Sequence, residues 1–166
     1  YQLVSGSVKD LTLGTFHAIC ARILRRDGRG IGVAPGFVIY DEEDQTSLIK
    51  RAIQDLGLDP KQYAPGAIKS AISAAKSHLL TPGDYSQRSR SYFEEVVQRV
   101  YEQYQQLLSQ SSALDFDDLL MKTVQLFRSN PEVLSKYQER YSHILVDEFQ
   151  DTNLAQYELV KQLADK

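Results

Sequence analysis

Two adjacent carboxylates, Asp147 and Glu148, are the side chains of this sequence best suited to chemistry. They directly follow three β-favouring apolar residues at 144–146, a pattern that predicts a buried parallel strand. In open α/β sheets, ligands bind just beyond the carboxyl ends of such strands. In a nucleotide-hydrolysis site, the first carboxylate can hold Mg²⁺ and the second can polarise the attacking water. The alternative is a solvated acidic turn, which a bare acidic pair would favour.

Basic side chains form two groups that could bind phosphate. The first group consists of four arginines at helical spacing: Arg22, Arg25, Arg26 and Arg29. The second group lies further along the chain: Lys69, Lys76, His78, Arg88 and Arg90. Such groups attract phosphates electrostatically, and their binding weakens with salt. A solvated charged face is an equally open interpretation of each group.

A group of acidic residues, Asp115, Asp117 and Asp118, superficially suggests a metal site. Adjacent residues on a helix point in different directions, so a shared cation would require a bend in the chain. Carboxylates are favoured at helix N-termini, where the helix dipole is positive. We therefore expect these residues to cap and pack a helix start, and we assign them no chemistry.

Apolar spacing and capping signals predict the elements that position these groups. A short apolar segment at 11–14 predicts a strand, 37–40 predicts an extended entry, and the stripe from Phe16 to Leu24 predicts a helix that Thr15 can cap. Further helices are predicted at 42–56, 67–79, 91–108, after Asp115, at 131–141 and after Asn153. The order strand–helix, helices, strand–helix is typical of a helical subdomain inserted into an α/β domain. We expect a mainly α fold with a small parallel β portion.

Composition limits the class of protein. With 166 residues and 42% apolar content, the chain can bury a core of about one domain. A net charge of −3 gives no general attraction to nucleic acid, so any DNA contact must be local. Cys20 and Phe16 are expected in the core, and a single cysteine fits a reducing cytosol. No apolar run reaches the length of a membrane span, and no signal peptide is evident, so we expect a cytoplasmic protein without membrane contact.

Three elements of the sequence resemble motifs of superfamily 1 DNA helicases of the UvrD, PcrA and Rep type. Residues 144–153, ILVDEFQDTN, resemble motif II, the Walker B box. Residues 14–18, GTFHA, followed by ICARILRR, resemble motif Ib, and residues 114–120, LDFDDLL, resemble the FDDLL element of the family. The three occur in the family's order across nearly the whole chain, so the chain is identified as a member of this family.

The resemblance implies a fold and a biological role. Residues 1–30 and 113–166 would belong to the RecA-like 1A domain, a P-loop NTPase fold, and residues 31–112 would form the inserted helical 1B-type subdomain. The parent protein would couple ATP hydrolysis to 3′ to 5′ translocation on single-stranded DNA and to duplex unwinding, in DNA repair or replication. Its cofactors would be ATP and Mg²⁺. Its partners would be single-stranded and forked DNA and the remaining helicase domains.

The resemblance also implies roles for individual residues. Asp147 would hold Mg²⁺, Glu148 would be the catalytic base, and Gln150 would sense the γ-phosphate region. Thr15 and His17 would lie against single-stranded DNA. Asp151, Thr152 and Asn153 are more simply interpreted as residues at the start of the final helix, with Asp151 as its cap. The DNA-contact prediction further includes five basic residues: Arg22, Arg25, Arg26, Lys69 and Lys76.

The phosphate-binding loop of the family has no counterpart in this sequence. None of the nine glycines is followed by lysine, so the pattern GxxxxGK[ST] cannot be written. In the resembling helicases this loop lies upstream of motif Ib, and the arginines that complete the ATP site lie downstream of motif II. We expect the chain to be a piece of a larger helicase that does not hydrolyse ATP alone.

Two other interpretations are open. The same core occurs in the helicase part of helicase–nucleases of the AddA or RecB type, although the short motifs and compact insert favour the simpler helicase. A different class of function is a non-catalytic module whose helical insert docks DNA or a protein partner. ATP-independent DNA binding by the chain would support that role.

Overall fold

A computed structural model describes residues 11–87 and 91–165 of the chain. Within these ranges the chain is mainly helical with one small parallel sheet, which confirms the expected fold class. Short 3-10 segments follow the first helix and precede the last one. The described residues form eight α-helices: α1 (Phe16–Asp27), α2 (Glu42–Asp55), α3 (Pro65–Ser77), α4 (Pro82–Ser86), α5 (Tyr92–Gln110), α6 (Phe116–Ser129), α7 (Pro131–Arg140) and α8 (Leu154–Ala164).

The sheet pairs two three-residue strands from distant parts of the sequence. They are β1 (Val38–Tyr40) and β2 (Ala113–Asp115), and they run parallel with Ile39 opposite Leu114. The sequence predicted only an extended entry at β1 and no strand at β2. A parallel pair requires a long crossover, and here the crossover is the run of helices α2 to α5.

The two strands predicted at 11–14 and 144–146 do not form. Leu11 and Leu13 are 69% and 84% exposed, and Leu145 is 98% exposed. A strand exists only where a neighbouring strand receives its backbone hydrogen bonds, and no described residue supplies one here. The prediction of a buried strand before Asp147 is therefore wrong for this chain, although the apolar pattern itself is present.

These exposed apolar runs should make the chain self-associate. The backbone of these runs pairs with no strand among the described residues, and together with exposed Leu13 and Leu145 it offers a template for pairing with a second copy. We expect the mass measured by sedimentation to exceed that of the monomer and to rise with protein concentration. The substitution Leu145→Lys should lower this mass towards that of the monomer. Tyr92→Lys is the control, because Tyr92 is 67% exposed but lies in no such run. A monomer mass for the unaltered chain at every concentration would contradict the prediction.

Capping side chains set the helix boundaries largely as the sequence predicts. The Thr15 hydroxyl oxygen accepts the backbone N–H of Ala18 at 3.3 Å, which caps α1. Asp41, Asp115 and Asn153 cap α2, α6 and α8, each through a reciprocal capping box. Asp151 does not cap α8, because it lies in the preceding 3-10 segment and Asn153 accepts the capping N–H instead.

Two hydrophobic cores hold these helices together. The first core lies among α2, α3 and α5, and its fully buried members include Ile49, Ile68, Val97, Val100 and Tyr101. The second lies among α1, α6, α7 and α8, and includes Cys20, Leu24, Leu119, Leu126 and Tyr137. Cys20 is a core residue as predicted, and burial raises the pKa of its thiol to about 12, so it stays protonated. Phe16 is partly buried and packs against the second core.

Helix α6 connects the two cores. Its first turn meets α3 and α5 through buried polar groups, and its later turns pack against α1 and α8. None of the helices in the described ranges is long and apolar enough to cross a membrane.

Candidate functional site

Asp147 and Glu148 are consecutive residues of an exposed turn. The Asp147 carboxylate accepts the backbone N–H of Glu148 at 3.0 Å. Neither carboxylate forms an ion pair with a described residue. Glu148 has φ 48° and ψ 41°, a left-handed conformation that is uncommon for residues other than glycine. Backbone conformations of this kind concentrate at functional sites, where the surrounding structure maintains them.

The donor set of this turn fits Mg²⁺. Carboxylate oxygens are hard ligands, and Mg²⁺ in proteins is usually held by one or two carboxylates together with substrate phosphates and water. No group of three or more His, Cys, Asp or Glu side chains within 11–87 and 91–165 is arranged to hold a metal ion. Asp147 and Glu148 would therefore supply only part of a coordination shell, and a phosphate-bearing ligand would supply more of it.

The rest of the motif II segment is anchored on its C-terminal side. Gln150 is exposed in the 3-10 segment, and the Thr152 hydroxyl donates to the Phe149 carbonyl at 2.8 Å. Asn153 then starts α8, whose Leu159 is buried in the second core. The turn that carries Gln150 is thus fixed to the fold through α8.

A second exposed set of residues surrounds the N-terminus of α1. Thr15 is exposed, and its capping bond uses the hydroxyl oxygen as acceptor, so the hydroxyl proton remains available to a ligand. The His17 ring meets the Phe116 ring edge-to-face, with centroids 5.6 Å apart and planes at 89°. Phe116 is 42% exposed. Phe116 was not among the predicted site residues. A signal was present, because Phe116 is the first helical residue after the Asp115 cap and lies outside the apolar stripe that α6 buries.

The four arginines of the first basic group are exposed, as the sequence predicts. Arg22, Arg25 and Arg26 lie on the face of α1 opposite the buried Cys20, Ile23 and Leu24, because successive residues turn by about 100° around the helix. None of the four forms an ion pair with a described residue, and the Arg25 guanidinium lies 5.1 Å from the centre of the Phe37 ring. The basic edge therefore exists at the surface, although the charge of Arg26 also acts on the neighbouring Asp27.

Lys76 does not belong to a basic surface group. Its ammonium is fully buried and lies 2.6 Å from the Asp115 carboxylate and 2.9 Å from that of Asp118. Burial alone would lower the pKa of Lys76, but the charges of Asp118 and Asp115 raise it above its usual value, so the amine stays protonated. The predicted phosphate contact is corrected for this residue. A signal was present, since Lys76 continues the apolar i, i+4 stripe of Ile68 and Ile72.

The other members of the second basic group are also dispersed or engaged. Lys69 forms an ion pair with Glu42 of α2. His78 directs its Nδ1 at the Ala74 carbonyl, 2.8 Å away, at the end of α3. Arg88 and Arg90 lie outside the described residues. Among the described residues, the arginine edge of α1 is the better candidate for a phosphate contact.

Comparisons with known proteins agree with these motifs. The N-terminal domain of the UvrD/REP helicases matches residues 2–166. The chain is similar to the ATP-dependent DNA helicase PcrA of Leuconostoc citreum, 48% identical over 158 residues, which are 95% of this chain and 21% of that protein. PcrA of Bacillus subtilis strain 168 is 48% identical over 157 residues, which are 95% of this chain and 21% of that protein. PcrA of Staphylococcus aureus strain Mu50 is 46% identical over 165 residues, which are 99% of this chain and 23% of that protein. The chain spans about a fifth of the length of these relatives.

Proposed function

Since this chain belongs to the UvrD/REP helicase N-terminal domain family, we propose that it is the motif II and DNA-contacting part of an ATP-dependent DNA helicase. The observation that carries the proposal is the exposed Asp147–Glu148 pair, which forms no ion pair among the described residues. The full-length protein would translocate 3′ to 5′ on single-stranded DNA and unwind duplexes in DNA repair or replication.

The motif II residues would divide the hydrolytic work. Asp147 would hold Mg²⁺, which when bound neutralises charge on the nucleotide phosphates. The Glu148 carboxylate would accept a hydrogen bond from the attacking water and orient it towards the γ-phosphate. Gln150, exposed two residues later, would contact the γ-phosphate region. The other groups of the ATP site would come from the remainder of the full-length protein, so this chain alone should not hydrolyse ATP.

The N-terminus of α1 would bind single-stranded DNA without reading its sequence. The Thr15 hydroxyl and the His17 imidazole suit phosphate oxygens, and the half-exposed Phe116 ring beside His17 suits a stacked base. The arginines of α1 would add electrostatic attraction to the backbone. Lys69 and Lys76 are left out, because both are engaged in ion pairs.

The division of the chain into a 1A portion and an inserted 1B-type subdomain remains part of the proposal. The bounds are 1–30 and 113–166 for the 1A portion, and 31–112 for the insert. The two hydrophobic cores support it, since the first draws its buried residues from Leu48 to Ala113. The second draws them from both sides of that segment, from Cys20 to Phe37 and from Leu114 to Leu163, so Val33 and Phe37 pack with the 1A portion although they lie within the bounds given for the insert.

Neutralising the arginine edge should weaken DNA binding by this chain. Arg22→Gln, Arg25→Gln and Arg26→Gln together should raise the Kd for single-stranded DNA by about tenfold at low salt and reduce the salt slope, log Kobs against log salt, by about 2. Each lost phosphate contact removes its share of released counterions. Fluorescence anisotropy with single-stranded and forked DNA across a salt series measures both quantities.

The matched control removes three other exposed arginines, one from each of α2, α5 and α7: Arg51, Arg99 and Arg140. It makes the same change in net charge, so a general charge effect would weaken binding equally in the two variants. Equal losses, or no binding by the unaltered chain at low salt, would count against a DNA track in this part of the helicase.

A further inference from the structure

The first turn of α6 is held by one buried charge from α3 and by two neutral polar side chains from α5. Lys76 of α3 donates to Asp115, the N-cap of α6, and lies 2.9 Å from Asp118 in the same turn. Tyr104 of α5 donates its hydroxyl to Asp115 at 2.9 Å, and Gln105 donates to Asp118 at 3.3 Å. We call these five residues the α6 clamp. Hydrogen bonds depend on direction whereas apolar burial does not, so these contacts constrain the orientation of the turn.

The clamp also stabilises the helix start from within. The Asp115 carboxylate accepts the backbone N–H of Asp118 at 2.8 Å, and the Asp118 carboxylate accepts the backbone N–H of Asp115 at 3.3 Å. Burial raises the pKa of Asp118, although Lys76 opposes that shift. The same two carboxylates thus cap α6 and receive Lys76, so moving Lys76 would disturb the cap.

The opposite side of the same turn faces the proposed DNA-contact end. Phe116 follows Asp115 directly and packs edge-to-face on His17 of α1. Asp117 follows Phe116, accepts the Ser73 hydroxyl of α3 at 2.7 Å, and interacts electrostatically with His17. Hence α3 is linked to the His17 environment through one helical turn.

We propose that Lys76 is a positioning residue, which holds the first turn of α6 so that Phe116 fixes the His17 ring in its DNA-contacting orientation. The α6 clamp then sets the geometry of a DNA contact from within the helical insert. This inference rests on the proposed function for the DNA contact, but the placement of His17 can be measured without DNA.

The test is the NMR signal of the His17 ring, because a neighbouring aromatic ring shifts it. The chain has three histidines, so a ¹H–¹³C spectrum is simple to assign with His17→Asn. The test variant combines Lys76→Met, Asp115→Asn and Asp118→Asn, which removes the charges together and avoids an unpaired buried carboxylate. We expect its His17 signals to move in the same direction as those of Phe116→Leu and its DNA affinity to fall.

The control is Glu42→Gln, which breaks the exposed ion pair between Glu42 of α2 and Lys69 of α3. Because this pair lies outside the clamp, the His17 signals should stay in place. Unmoved His17 signals in a folded triple variant would overturn the inference. If the triple variant does not fold, Tyr104→Phe takes its place. This variant removes the hydrogen bond from Tyr104 to Asp115 and keeps the ring. The inference stands only if Tyr104→Phe moves the His17 signals. Shifted His17 signals in a chain that binds no DNA would support the positioning role and refute the proposed DNA contact.

Discussion

Replacing Glu148 by glutamine in the full-length protein is expected to lower the kcat of DNA-stimulated ATP hydrolysis by about 10²–10⁴-fold, the usual contribution of a general base. The side chain is exposed and forms no ion pair within the described residues, so glutamine fits without repacking. It keeps the shape but no longer offers a negative oxygen to the water. Steady-state hydrolysis with saturating DNA measures the change.

Two further measurements show whether the loss of hydrolysis is specific. ATP binding, followed with a fluorescent analogue, should be retained in Glu148→Gln, because the lost group acts on water and not on the nucleotide. Glu139→Gln on α7 makes the same chemical change at an exposed site and should hydrolyse ATP at the unaltered rate. An unchanged kcat in Glu148→Gln would show that Glu148 is not the catalytic base. It would favour the alternative in which this chain is a non-catalytic module that docks DNA or a protein partner.

Lys76→Met in this chain should lower the free energy of unfolding by about 3–5 kcal/mol, because it leaves two buried carboxylates without their countercharge. Asp115 and Asp118 are 2% and 0% exposed, so water cannot replace the ammonium. Urea unfolding followed by circular dichroism at neutral pH measures the difference from the unaltered chain.

Glu42→Gln is the matched comparison for this stability effect, since it breaks an ion pair of the same helix at the surface. Its cost should stay below about 1 kcal/mol, as exposed pairs contribute little. Neutralising Asp115 and Asp118 together with Lys76 should recover most of the loss. Similar costs for Lys76→Met and Glu42→Gln would show that the buried charges are not paired as the structure has them.

The helices could be predicted from sequence because their signals are local. Asp41, Asp115 and Asn153 each lie just before an apolar stripe at helical spacing, and each caps the helix expected there. The exposed arginines of α1 follow from the same spacing, since the core stripe through Cys20 and Leu24 fixes the opposite face. The basic edge of the candidate site could therefore be predicted from helical periodicity alone.

The errors concern contacts between distant parts of the chain. The apolar run at 144–146 shows which side chains a strand there would bury. Whether that strand forms depends on a neighbouring strand to share its backbone hydrogen bonds. Lys76 was expected to contact phosphate as a member of the second basic group. It is instead buried against two carboxylates that lie 39 and 42 positions later in the chain. Helical spacing alone does not show that Asp115 and Asp118 would meet Lys76.

The parallel pairing of β1 with β2 brings the two ends of the helical excursion between them close together. The chain leaves the sheet at Tyr40 and re-enters it at Ala113, beside Val38 of β1. Neighbouring strands are about 4.8 Å apart, so the two junctions lie within about 10 Å of each other. A segment with adjacent ends can lengthen, shorten or be exchanged in evolution while the flanking helices keep their places. Changes in length are thus tolerated wherever the excursion lies away from the α6 clamp, which ties α3 and α5 to the start of α6.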